Sequence, residues 1–174
     1  MHSKQLLRLT INGILFNVAW LACVLGGNQI AIVAALLMLT IHLLYISDAP
    51  QELLFIAAVS VFGFTLDNIL FITNVLVNPA SAGFAPIWLL GLWLCFSTTL
   101  NHCFRFLHYR LGFAAILGAI SGTLSYLTGV RLSDVEFGMD LPLVILVVGI
   151  EWLIIFPLLI WIAQNFTARF FREV

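Results

Sequence analysis

An all-α bundle of six membrane-spanning helices is the fold class this sequence predicts, and three observations predict it. Apolar residues make up 63% of the 174-residue chain and charged residues only 9%, with a mean hydropathy of +1.13. Soluble domains carry roughly 25% charged residues. Six long apolar runs fill nearly the whole chain. The basic residues fall on alternate connections, as an even number of crossings requires.

The runs are Leu6–Leu25, Gln29–Ile46, Leu53–Val77, Ile87–Leu107, Gly112–Gly129 and Leu141–Ala163. About 20 apolar residues at ~1.5 Å per residue span the hydrocarbon core; the second and fifth runs are the shortest. Gly26-Gly27-Asn28 divides the first pair, and Ser47–Glu52, Asn78–Pro86, His108–Leu111 and Val130–Asp140 connect the rest. No linker or low-complexity tract separates a second domain, so residues 1–174 read as a single transmembrane domain. The first run has a basic start but no small-residue cleavage site, and bulky Trp20 before Cys23 argues against a lipoprotein signal.

Lys4, Arg8, Arg105, Arg110, Arg169 and Arg172 fall on one side of a six-span arrangement, and of the seven basic residues only Arg131 falls on the other. Lys and Arg collect in cytoplasmic loops. Both termini are therefore expected in the cytoplasm, and the plain architecture suggests a bacterial inner membrane. The formal net charge of -1 and the absence of a basic tract give no footing for nucleic acid. Membrane lipids are the expected partners, with a second copy or another membrane protein left open.

Ionisable side chains inside apolar runs cost roughly 2.5–3.5 kcal/mol on insertion scales and usually face other helices or a wet cavity. Here they are His42, Asp67, His102, Arg105 and Glu151, accompanied by Asn12, Asn17, Asn68, Asn74 and Asn101. His42, His102, Arg105 and the run-opening Glu52 sort to the inner interface. Asp67, about 21 Å into its run, and Glu151 sort deeper. Residues three or four apart share a helix face, so Thr98, Asn101, His102 and Arg105 are expected as one polar stripe. Gly118 and Gly122 set a small-residue face suited to close helix packing.

Three functional readings follow. In the first, His42, Glu52 and His102 form a catalytic acid–base group acting on a membrane-dissolved fatty acyl, phospholipid or isoprenoid substrate, because the loops are too short to bind a polar metabolite. Asn17, Asn101 and Arg105 are then the substrate-binding residues, with Arg105 on an anionic headgroup. In the second, Asp67 and Glu151 are the coupling sites of a proton-driven transporter or flippase-like carrier. In the third the chain is a scaffold subunit, so whether it is an enzyme stays open. No HxxxH or HExxH pair anchors a metal, Cys23, Cys95 and Cys103 lack CxxC spacing, and two lone histidines are a thin basis for haem; no metal or other cofactor is expected. Asn17 corresponds to Asn101, Glu52 to Glu136 and Asp67 to Glu151 at one constant offset, which suggests a 3+3 inverted repeat.

The segments Phe16-Asn17-Val18-Ala19-Trp20, Thr98-Thr99-Leu100-Asn101-His102 with Arg105, and Gly118 to Tyr126 resemble a family of small bacterial inner-membrane proteins known as domain of unknown function 2878. The resemblance covers most of the chain. It implies a polytopic bacterial membrane protein and brings no established reaction, cofactor or catalytic residue.

Overall fold

A computed structural model describes residues 2–47, 49–79 and 83–170, with side chains from Gln5 to Arg169. Arg172 and the Lys4 side chain, both used in the charge argument, lie outside the described residues. The described chain is all-helical apart from one two-stranded patch. Its helices are α1 (His2–Ile41), α2 (Glu52–Ile72), α3 (Ile87–Ser97), α4 (Leu111–Leu132) and α5 (Leu141–Phe170). Four segments are long and apolar enough to cross a membrane: Gln5–Ile46, Glu52–Ile72, Leu111–Leu132 and Leu141–Arg169. Their outward faces are large aliphatic residues such as Leu54, Val61, Ile116 and Ile154, each more than half exposed. Contiguous apolar surface of that extent is a lipid-facing surface rather than a wet one.

The helix α1 is not one straight rod. Gly27 has φ 61 and ψ -164, outside helical geometry. The side chains of Asn12 and His42, thirty positions apart, come within 3.5 Å. A straight helix would separate them by about 45 Å. The chain therefore reverses at Gly27, and the two arms pack through Ala19, Ala35 and Met38. A five-residue π-helical stretch, His42–Ile46, closes the second arm.

The fourth run departs from its expectation. Instead of a continuous span over Ile87–Leu107, the helix stops after 11 residues at Ser97, turns follow through Phe104, and Arg105–Leu107 forms a single 3₁₀ turn. At the break Ser97 Oγ donates to Trp93 O at 2.6 Å and Thr98 Oγ1 to Cys95 O at 2.7 Å, so the hydroxyls are satisfied by carbonyls of the preceding turn. Non-helical backbone at membrane depth survives only inside protein or along a cavity, and residues 97–102 are all buried. Thr98, Asn101, His102 and Arg105 thus do not share one helix face.

α3 is the central element, apolar on every side. Two glycines admit it. A Cβ on Gly63 would lie 2.1 Å from the Trp93 ring, and one on Gly91 3.2 Å from the Ala31 carbonyl. α4 packs on α5 by the same device, with Gly118 against Phe156 and Gly122 against Trp152.

Two ends of the bundle differ. At one end Asn12, His42, Glu52, Asn101, His102 and Thr167 come together, and the Tyr109 N–H donates to Gln164 Oε1 at 2.8 Å. At the other, strand β1 (Leu76–Val77) pairs antiparallel with β2 (Glu136–Phe137), and Asn28 Oδ1 accepts the Trp88 N–H at 2.9 Å. The offset correspondence between the halves finds no support in this arrangement. Asn17 is exposed where Asn101 is buried, Glu52 is buried where Glu136 is exposed on a strand, and the first arm of α1, running from His2 to Gly27, corresponds to an α3 of only 11 residues.

Candidate functional site

Two polar centres interrupt the apolar interior. The first lies where α1, α2 and the 98–104 turns meet. Glu52 is the first residue of α2, and its carboxylate benefits from the positive end of the helix dipole. His102 Nε2 donates to Glu52 Oε1 at 3.0 Å and to Oε2 at 3.1 Å. Asn101 Nδ2 donates to Oε1 at 3.1 Å, and Asn101 Oδ1 accepts from Thr167 on α5 at 3.1 Å. His42 Nε2 stands 3.3 Å from Glu52 Oε2, but off line for a hydrogen bond. The two imidazoles meet edge to face with centroids 4.7 Å apart. His42 and Glu52 have no exposed surface and His102 retains 8%.

One donor atom from each of His42, Glu52 and His102 falls within 4.8 Å of the others, a His₂Glu set that a divalent ion such as zinc can use. The Asn12 amide argues for protons there instead. Its Oδ1 accepts from the Cys103 N–H and its Nδ2 donates to Thr98 O, both at 3.3 Å, which fixes its orientation. The same Nδ2 faces His42 Nδ1 at 3.5 Å. A neutral imidazole that accepts at Nδ1 carries its proton on Nε2, the atom turned toward Glu52. That N–H lies beside a carboxylate that already accepts from His102 and Asn101, without bonding to it.

The second centre surrounds Asp67, a fully buried acid on α2. Trp93 Nε1 donates to its Oδ2 at 2.7 Å, and the Tyr126 hydroxyl donates to its Oδ1. Beside it lies a cavity of about 390 Å³, within the range of small-molecule sites. Nine of its lining residues are aromatic, including Trp20, Trp88, Trp93, Tyr126 and Trp152, and no Lys, Arg or His lines it. It extends from Phe104 near the His/Glu end to Leu76 and Val135 near the strands. Exposed Asn17 on α1 and exposed Ser121, Leu124 and Thr128 on α4 also line it, so it opens sideways between those helices. Trp20 Nε1 bridges the gap to Ser125 Oγ at 3.0 Å.

The structure therefore brings His42, Glu52, His102 and Asn101 into one network. It places Asn17 elsewhere, at the cavity mouth, where its amide donates to Gly13 O at 2.8 Å. Arg105 is exposed on the 3₁₀ turn at the network's end of the bundle. Glu151 on α5 is partly buried, interacts electrostatically with Asp67, and keeps one buried carboxylate oxygen without a hydrogen-bond partner. Sequence reasoning missed Trp93, Tyr126 and Thr167, whose roles depend on partners 26, 59 and 66 positions away. A tyrosine hydroxyl inside an apolar run was the available signal, since a buried phenol needs a polar partner.

No curated protein and no solved structure matches the chain. A family model does match, over residues 9–158, and the chain belongs to that uncharacterised family, described as "Protein of unknown function (DUF2878)".

Proposed function

We propose that this chain crosses a bacterial inner membrane six times, with both termini cytoplasmic, and that it binds a largely apolar, membrane-dissolved molecule in the cavity beside Asp67. The six-crossing reading draws on the reversal of α1 at Gly27, which turns one 42-residue apolar segment into two arms, and on the turns after Ser97, which extend short α3. Arg105, Arg110 and Arg169 sit on or beside the turns and helix terminus at the His/Glu end, as a cytoplasmic face requires.

The observation that carries the binding role is the sideways opening of an aromatic cavity between α1 and α4. A molecule dissolved in hydrocarbon reaches such a mouth without crossing a polar surface. This favours a carrier or lipid-binding role over a soluble-substrate enzyme. Gly129 lines the cavity, and a Cβ there meets nothing within 4 Å, so Gly129→Leu fills the space without a backbone clash. The test compares organic extracts of wild-type protein and Gly129→Leu, both isolated in polymer-bounded native membrane discs, by mass spectrometry. A species retained by the wild type and lost from the variant is expected. Identical extracts sink the binding role.

A second reading keeps His42, Glu52 and His102 as an acid–base group acting on a lipid, with Arg105 holding an anionic headgroup. It is supported by the convergence of three titratable side chains and by the His42 N–H left without an acceptor. Against it, none of the three lines the cavity. Lipid profiles of hosts carrying the intact gene, a deletion and His102→Ala decide it: one species must vanish from both altered strains.

A further inference from the structure

We propose that the cavity beside Asp67 selects lipophilic cations: molecules with an ammonium-type charge on an apolar body. The inference rests on the binding role proposed above and adds the charge class of the ligand. Three observations carry it. Nine of the lining residues are aromatic, and ring faces attract cations, most strongly when desolvated. The acid Asp67 is among the lining residues, and no basic side chain is. A second acid, Glu151, directly precedes the lining residue Trp152 and keeps a buried oxygen unbonded.

Asp67 has nothing of opposite sign to face among the lining residues. Asp67 is held by Trp93 and Tyr126 and is covered by them, so a ligand meets its field through the phenol and the indole rather than by direct contact. In a low-dielectric interior that field persists over several ångström. An anionic lipid headgroup would meet Asp67 and the aromatic walls with no basic side chain among the lining residues to offset them. A cation meets the complement of its own charge, and the aromatic walls take its apolar body.

The test uses the whole protein in phosphatidylcholine nanodiscs and three probes of similar shape: tetraphenylphosphonium, tetraphenylborate and neutral triphenylmethanol. Four of the five tryptophans line the cavity, so tryptophan emission reads binding directly, against empty discs as the baseline. Saturable quenching by the phosphonium and not by the borate is expected. Asp67→Asn should weaken the phosphonium by roughly tenfold or more, and Gly129→Leu should abolish it. The comparison of the two ions on the wild type needs no variant to fold. If both ions saturate alike, or if only triphenylmethanol saturates and Gly129→Leu blocks it, cation selection is overturned while the cavity remains a binding site. If none of the three saturates, both proposals fall together.

Discussion

His102 donates from one ring nitrogen to both oxygens of Glu52, at 3.0 and 3.1 Å, although fifty residues separate them in the chain. The bond ties the first turn of α2 to the turns that follow α3. Asn101 and Thr167 extend it to α5, and Asn12 extends it to α1. One end of the bundle is thus held by a polar network in a molecule whose other contacts are almost wholly apolar.

Removing the acceptor of buried donors leaves them unsatisfied and costs about 1–3 kcal/mol for each. Glu52→Ala strips the acceptor from the Asn101 and His102 N–H groups. It should therefore lower the unfolding midpoint in detergent strongly. Glu52→Gln keeps one carbonyl acceptor and should lose less. Equal midpoints for all three proteins would show that the network does not hold this end together.

His108 lies outside the spans, and its Nε2–H donates to Leu100 O at 3.2 Å. Burial holds its ring below the ordinary histidine value of 6.5, with Arg105 acting in the same direction and the Leu100 carbonyl against it. A base with a lowered folded value binds more protons when unfolded. Its contribution is complete above the ordinary value and is lost as the pH falls below it toward the folded value. Wild-type protein should accordingly lose stability from about pH 7.5 to about pH 5.5. His108→Asn should lose less over the same interval. Parallel loss in both proteins would assign the acid sensitivity to other groups.

Two glycines on α4 should respond oppositely to alanine. A Cβ at Gly122 would stand 2.3 Å from Cγ of Trp152, so α4 and α5 must move apart. Overpacking of this kind costs about 1–3 kcal/mol. At Gly129 a Cβ meets nothing within 4 Å, and a helix-interior glycine replaced by alanine gains up to about 1 kcal/mol. Thermal unfolding followed by size-exclusion fluorescence should place Gly122→Ala below the wild type and Gly129→Ala at or above it.

Much of this arrangement was legible in the residues. The apolar runs gave the helices, Gly26-Gly27-Asn28 marked the reversal, and depth along the runs sorted His42, Glu52 and His102 to one interface, where they meet. The helix end at Ser97 was not legible. Serine and threonine are tolerated in apolar helices, and whether a helix ends at them depends on the packing around them. The cavity was hidden for a related reason. Trp93 and Tyr126 sit in runs that read simply as apolar, and only the folded chain brings them to Asp67 and into the wall of the cavity.

The six-crossing reading depends on Gly27. Its φ of 61 and ψ of -164 fall in a region essentially confined to glycine, and nothing crowds its missing side chain, so any penalty for substitution is backbone strain alone. Gly27→Ala should cost about 1–3 kcal/mol while leaving the interior unaltered. The reversal also has a topological consequence. Exposed Gln29 lies just beyond it, and exposed Tyr109 lies at the opposite end of the bundle, beside Gln164. With Cys23, Cys95 and Cys103 replaced, a single cysteine at Gln29 should react with a membrane-impermeant maleimide added outside intact cells. One at Tyr109 should react only after the cells are opened. Labelling of both from the same face would leave an even number of crossings between them, so that either the second arm of α1 or the segment of short α3 and its turns fails to span, and the six-crossing reading falls.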